Sequence, residues 1–197
     1  MHTNDENQPP GDAPPQRIVN DSVTMIAQAN SLFSKEECRT ILELSAHLKG
    51  EKGTIGGDYQ KSDMRSSNVS FLLPDQKTMW IFQRLEAATG ELNKSYKFEL
   101  QGFFEGVQIA TYEGEDYYDW HMDVGPGPNS SRKLSMSIQL SDPGEYDGGD
   151  LEFLNIDKPA PGELGSLCVF PSFMMHRVAP ITRGTRKSMV AWIHGPP

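Results

Sequence analysis

Cysteine is scarce in this chain. Cys38 and Cys168 are the only two in 197 residues, with no short spacing between them. That excludes both a disulfide framework and a zinc-finger pattern, and it suits a reducing compartment. Long hydrophobic runs are missing too: no stretch of about 18 apolar residues occurs, and the N-terminus carries no apolar segment of the kind that directs secretion. The expectation is a cytoplasmic protein without a membrane span. Positive charge is in deficit, with 18 Lys+Arg against 27 Asp+Glu, a net charge of -9 and a pI near 5.0. Such a balance opposes phosphate backbones and anionic lipid surfaces, so nucleic acid is not an expected partner. Met1 to Arg17 lacks nearly all large apolar side chains and holds four prolines. It cannot bury enough surface to offset its ordering entropy, and a disordered tail is expected there.

What remains, residues 18–197, fits one domain. Val23, Met25 and Ile26 suggest a short strand. Ser34-Lys35-Glu36-Glu37 is a capping box, and Cys38, Ile41, Leu42, Leu44 and Ala46 follow at near-helical spacing, which predicts a helix over 34–49. Residues 50–62 are glycine-rich and polar and read as a loop. Asn68 to Leu73 reads as a strand, and 75–93 as a second amphipathic helix. From Tyr96 onward eight short β-rich runs alternate with turn clusters: 96–104, 106–113, 116–124, 133–141, 149–155, 166–171, 175–180 and 186–195. This spacing predicts a mainly β, α+β chain: a jelly-roll or barrel core over 96–197, with supporting helices from 18–95 covering one outer face.

Chemistry concentrates late in the chain. His121 and Asp123 lie two apart in a predicted strand, so an imidazole and a carboxylate share a face. Alone this pair is a weak signal. His176 follows 53 positions after Asp123 in another predicted strand, and two histidines with one carboxylate are the ligand set of a non-haem iron(II) facial triad, which leaves coordination positions open. A structural zinc site would instead be closed by four ligands, with cysteine favoured. Arg186 and Ser188, again two apart, place a guanidinium and a hydroxyl on one strand face, a pairing suited to a carboxylate. The natural guest is the distal carboxylate of 2-oxoglutarate. His2, His47 and His194 are expected to be non-ligands, and Arg183, beside Gly184, a solvated charge.

Together these residues resemble the Fe(II)/2-oxoglutarate-dependent dioxygenases, and within them the prolyl 4-hydroxylase-like branch that includes the PKHD-type hydroxylases. The resemblance covers Tyr112 to His194. It rests on Tyr112-Glu113-Gly114, Tyr118, His121-Met122-Asp123, Tyr146 to Phe153, Pro161-Gly162, Phe170-Pro171, His176-Arg177-Val178, Pro180 to Arg186 and Trp192. It implies a double-stranded β-helix, iron held by His121, Asp123 and His176, and 2-oxoglutarate anchored by Arg186, with Ser188 and Tyr112 as helpers. It further implies O2 as co-substrate, ascorbate binding, and a substrate lid over 50–67. Collagen-type relatives use lysine at the anchoring position, whereas this chain has Arg186. Asp123 stands where a halogenase would carry a small residue. The implied reaction hydroxylates a C–H bond, with a prolyl or other amino-acid unit of a peptide or protein as first choice of substrate. The rivals are an oxygenase of the same superfamily acting on a small metabolite and a non-catalytic, cupin-like metal-binding or sensing module. Oligomeric state is left open.

Overall fold

The structure is a computed structural model that describes residues 20–53 and 64–196. The tail 1–17 and most of the proposed lid lie outside the described residues.

Twelve strands and two α-helices make up the described chain, and every strand pairing is antiparallel. In chain order the strands are β1 (Ala27–Ala29), β2 (Glu51–Lys52), β3 (Arg65–Ser66), β4 (Asn68–Leu72), β5 (Val107–Glu113), β6 (Tyr117–His121), β7 (Arg132–Gln139), β8 (Tyr146–Gly148), β9 (Leu151–Phe153), β10 (Leu167–Pro171), β11 (His176–Val178) and β12 (Ile181–His194). The large sheet runs β1-β10-β7-β12-β5-β4-β2, with β8 added to the start of β12. The small sheet runs β3-β6-β11-β9. Their facing sides share one buried cluster: Ala110, Tyr112 and Phe170 of the large sheet meet Leu151, Phe153 and Val178 of the small one. The Phe153 and Phe170 rings pack edge to face at 4.8 Å. This is the expected double-stranded β-helix.

The outer face of the large sheet is covered by α1 (Lys35–Ser45) and α2 (Met79–Tyr96). Cys38 and Ile41 of α1 and Ile81, Phe82 and Leu85 of α2 pack on Ile109, Leu134, Met136, Ile138, Met189, Ala191 and Ile193. Full burial of such aliphatic side chains contributes about 1.5–3 kcal/mol each. The capping box is present: Ser34 Oγ accepts from the Glu37 N–H at 3.2 Å, and the Glu37 carboxylate accepts from the Ser34 N–H at 2.8 Å.

Several expectations need correction. Val23 lies in a 3-10 turn over Asp21–Thr24 and Met25 and Ile26 follow it unpaired, so the strand begins only at Ala27; the Asn20 side chain accepts from the Ser22 N–H and draws the chain into that turn. The first β-rich run, 96–104, is no strand. Tyr96 ends α2, Lys97 turns left-handed at φ 57°, and the Asn93 side-chain amide takes both the N–H and the carbonyl of Phe98. A single bridge between Gly102 and His194 is all the pairing this stretch makes. The second helix starts four residues late because the Asp75 carboxylate accepts from the Lys77 and Thr78 N–H groups in a preceding turn. The 18–95 region is more than helical support, since β1, β2 and β4 extend the large sheet and β3 the small one.

Candidate metal centre

Register builds the site. His176 opens β11 directly opposite His121, the last residue of β6, so two imidazoles stand side by side with ring centroids 4.1 Å apart. Asp123 lies just past the end of β6 rather than within it. Its N–H and that of Val124 both donate to the Ser172 carbonyl, at 2.9 and 3.1 Å. That local anchor, not strand alternation, turns the carboxylate back toward the imidazoles. Asp123 Oδ1 lies 3.7 Å from His121 Nε2 and Oδ2 lies 3.6 Å from His176 Nε2. The three ligand atoms fall within 4.8 Å of one another, and all three residues are buried.

The surroundings suit a cation. His121 Nδ1 sits 2.7 Å from the Asp119 carbonyl and His176 Nδ1 2.9 Å from the Met174 carbonyl. Each ring nitrogen that faces a carbonyl must carry the proton, which leaves both Nε2 lone pairs aimed at the shared space. Burial, reinforced by His176, lowers the His121 pKa to about 4, so its imidazole is neutral and ready to ligate. For Asp123 burial acts to raise the pKa, but the two histidines and the Ser135 hydroxyl outweigh it and hold the carboxyl below its ordinary range. Ser135 Oγ donates to Asp123 Oδ2 at 2.6 Å and lies 3.0 Å from Ser172 Oγ. Two Nε2 atoms and a carboxylate oxygen, each residue oriented by a further hydrogen bond, fit a divalent transition metal with open positions.

Around the triad stand residues to which sequence reasoning gave no part in the site. The Tyr118 ring stacks on His121 at 3.4 Å, with the Arg65 guanidinium 4.5 Å above the Tyr118 ring. Arg132 donates to the Asp123 carbonyl at 3.2 Å, grips Glu105 at 2.8 and 2.7 Å and lies 3.8 Å over the Trp192 ring. His194, taken from sequence as a non-ligand, is buried outside the triad and pairs with Glu105 at 3.0 Å. Arg183 is exposed and pairs with Asp147, in keeping with a solvated charge.

Arg186 and Ser188 are both buried on the interior side of β12, as alternation requires. Arg186 pairs across the strands with Tyr112, whose ring lies 5.7 Å from the guanidinium, and Ser188 pairs with Gln139. Arg186 Nη1 is buried with no hydrogen-bond partner among the described residues. An orphaned N–H of this kind costs about 1–3 kcal/mol unless a ligand meets it. It borders a small cavity with Gln139, Tyr146, Asp150 and Pro161, which Ser188 and Tyr112 do not line. Gly149, in the left-handed region at φ 69°, lets the backbone pass close to this arginine: a Cβ there would stand 2.8 Å from Arg186 Cδ. The polar alternation of Ser135, Ser137 and Gln139 along β7 was the signal that could have found these neighbours.

Residues 107–194 match the model of the 2OG-Fe(II) oxygenase superfamily. The likeness to that superfamily lies over the stretch that carries the triad and Arg186. A PKHD-type hydroxylase of Hyphomonas neptunium is 40% identical to this chain over 92 residues, covering 43% of the chain and 41% of that relative. One from Crocosphaera subtropica is 25% identical over 181 residues, covering 86% of the chain and 78% of the relative. The chain spans about two fifths of the length of the first curated relatives that it matches, 40% and 44% for the two Synechococcus hydroxylases. The chain superposes on a prolyl-4-hydroxylase of Pseudomonas putida with a TM-score of 0.71 at 17% identity, over 89% of this chain and 95% of that one. A Trichoplax adhaerens prolyl hydroxylase in complex with a hypoxia inducible factor peptide fragment gives 0.68 at 16% identity, over 86% and 83%. These likenesses carry the fold. Among the described residues no helix is long and apolar enough to cross a membrane.

Proposed function

We propose that this chain is an Fe(II)- and 2-oxoglutarate-dependent dioxygenase that hydroxylates a C–H bond in a prolyl or other amino-acid residue of a peptide or protein. The balanced reaction takes substrate, O2 and 2-oxoglutarate to hydroxylated substrate, succinate and CO2. The observation that carries this reading is the buried triad of His121, Asp123 and His176 in one domain with an arginine whose Nη1 has no partner. A ferrous ion held by that triad would supply oxygen activation coupled to oxidative decarboxylation of the co-substrate.

The chain's own groups supply the geometry. His121 and His176 hold their protons on Nδ1 against main-chain carbonyls and present Nε2. Asp123 offers its charge while Ser135 and the Ser172 carbonyl fix its direction. Arg186 anchors the far carboxylate of 2-oxoglutarate, helped by Tyr112 across the strands and by Ser188 on the same face of β12. The apolar walls from Phe153 and Phe170 limit water at the reacting centre. A peptide or protein substrate is supported by the prolyl hydroxylase neighbours, one of which carries a peptide in its complex. 2-Oxoglutarate supplies the two electrons of that reaction, ascorbate would serve outside it to keep the bound iron ferrous, and the cytoplasm is the location in this proposal.

The test is turnover with a panel of proline-containing peptides under isotopically labelled O2. Peptide-stimulated succinate release, matched by a peptide mass gain of one labelled oxygen atom, is the expected result. Succinate release that no peptide stimulates but a free amino acid or small metabolite does would move the substrate class. Metal binding with no succinate under any condition would make the chain a sensing module.

A further inference from the structure

Charge counting singles out two arginines. Of the seven described arginines, five pair with carboxylates: Arg39 with Glu43, Arg84 with Glu37, Arg132 with Glu105, Arg177 with Glu152 and Arg183 with Asp147. The other two, Arg65 and Arg186, are buried, at 8% and 5% exposure, and each keeps a buried Nη nitrogen with no hydrogen-bond partner among the described residues. That reverses the usual order, since a buried charge needs a counter-charge more than an exposed one does. Arg186 is assigned to the co-substrate. Arg65 has no guest.

Arg65 is held in place at the triad. It opens β3, the edge strand of the small sheet, opposite Tyr118 of β6. The pairing of β6 with β11 is irregular between Tyr118 and His121, and the two rings stack at 3.4 Å and 11°. The Arg65 guanidinium lies 4.5 Å over the Tyr118 ring, and its Nε donates to Ser67 Oγ at 2.7 Å. The chain just after β2 closes on it: the Gly53 N–H donates to the Ser67 carbonyl at 2.8 Å, and a Cβ on Gly53 would stand 2.8 Å from Arg65 Cζ. Stacking and the Ser67 bond fix the plane of the guanidinium and leave Nη2 to donate elsewhere. The Tyr118 ring alone separates the guanidinium from a metal ligand, so an anion that meets Nη2 belongs to a molecule seated at the triad. With a net charge of -9 the protein repels acidic molecules at long range, and discrimination in their favour has to come from a local cation.

We propose that Arg65 binds a carboxylate of the substrate, the side chain of an aspartyl or glutamyl residue at or next to the residue that is hydroxylated. Arg65 is then the specificity-determining group, and Tyr118 and Ser67 are positioning residues that act through it. The inference rests on the reading of the triad as an oxygenase site for amino-acid units.

The experiment compares matched probes. Proline-containing peptides carry Asp or Glu at each position flanking the proline, and their twins carry Asn or Gln; free aspartate and glutamate are set against free asparagine and glutamine. Dissociation constants are measured on the full chain loaded with 2-oxoglutarate and Zn(II), which has no redox chemistry, and succinate release is measured with Fe(II). The best acidic probe should bind wild type about 10- to 100-fold tighter than its amide twin, the worth of a hydrogen bond between charged groups. Arg65→Met should erase that preference, Arg65→Lys should keep part of it, and both should bind 2-oxoglutarate with the wild-type constant. The same preference among the free amino acids alone would support the site and make the substrate an amino acid. Acidic probes that bind wild type no better than their amide twins, or not at all, would overturn the proposal with the oxygenase reading intact, and that arm needs no variant to fold. So would a preference that survives in folded Arg65→Met, or a loss there of about tenfold or more in 2-oxoglutarate affinity, which would give the guanidinium to the co-substrate. Failure of the wild-type protein to bind 2-oxoglutarate at all would overturn the underlying reading and the proposal with it.

Discussion

The two faces of the large sheet are made by the same strands and do opposite work. Along β7, Leu134, Met136 and Ile138 point to the helices, while Ser135 and Gln139 point inward to Asp123 and Tyr146. Along β12, Met189, Ala191 and Ile193 face the helices, while Arg186 and Ser188 lie in the interior. A period of two lets one stretch of chain supply a continuous apolar core on one side and oriented polar groups on the other. The outer face is satisfied by packing alone. The inner face retains an unmet guanidinium N–H on Arg186, and an unmet buried donor in a stable fold marks a place where a ligand belongs. Stability should therefore respond to one face and ligand affinity to the other.

Four substitutions test that separation. Asp123→Ala should weaken Fe(II) binding by more than about a hundredfold, beyond what loss of a supporting group costs. It should also abolish product formation, with the circular dichroism spectrum unchanged; retained metal affinity would contradict the triad. On the opposite face, Met136→Ala should lower the unfolding free energy by about 2–5 kcal/mol in urea denaturation. Its Fe(II) dissociation constant should match wild type, and a shifted constant would show that the faces are coupled. Ser135→Ala, one residue away and facing inward, should do the reverse. Loss of its bond to Asp123 should weaken metal binding by about 10- to 100-fold, with a small change in urea midpoint. The smallest effect is expected far from both ligands: Ser34→Ala removes the α1 cap and should cost about 1 kcal/mol of stability, leaving metal and 2-oxoglutarate affinities alone.

The inner and outer faces were not equally legible in the sequence. The capping box, the two helices and most of the late strands follow from local pattern, because capping and alternation are decided within a few residues. The ligand triad was legible as residue types and spacing, although His121 and Asp123 converge for a reason alternation does not give: main-chain bonds from 123 and 124 to Ser172. Arg186 and Ser188 could be assigned to one face of one strand. Glu105, Arg132 and His194 could not be joined into a network, since residues 27 and 89 positions apart meet only once the sheets close. Tyr146 was noticed as part of a glycine-flanked motif, but its place at the cavity beside Arg186 depends on β8 folding onto β12, a pairing between short segments with little hydrophobic signal of their own. The failed strand over 96–104 teaches the same point. A β-rich composition does not make a strand where an upstream side chain, Asn93, already satisfies the backbone.

The central claim is that one polar interior binds a metal through the triad and a 2-oxo acid through Arg186. Its most direct test is anaerobic titration of the Fe(II)-loaded protein with 2-oxoglutarate, run beside His176→Ala and Arg186→Ala. A metal-to-ligand charge-transfer band in the wild-type protein is expected, absent in His176→Ala and reached in Arg186→Ala only at far higher co-substrate concentration. No band in the wild-type protein, or a band that both substitutions leave unchanged, would contradict the account.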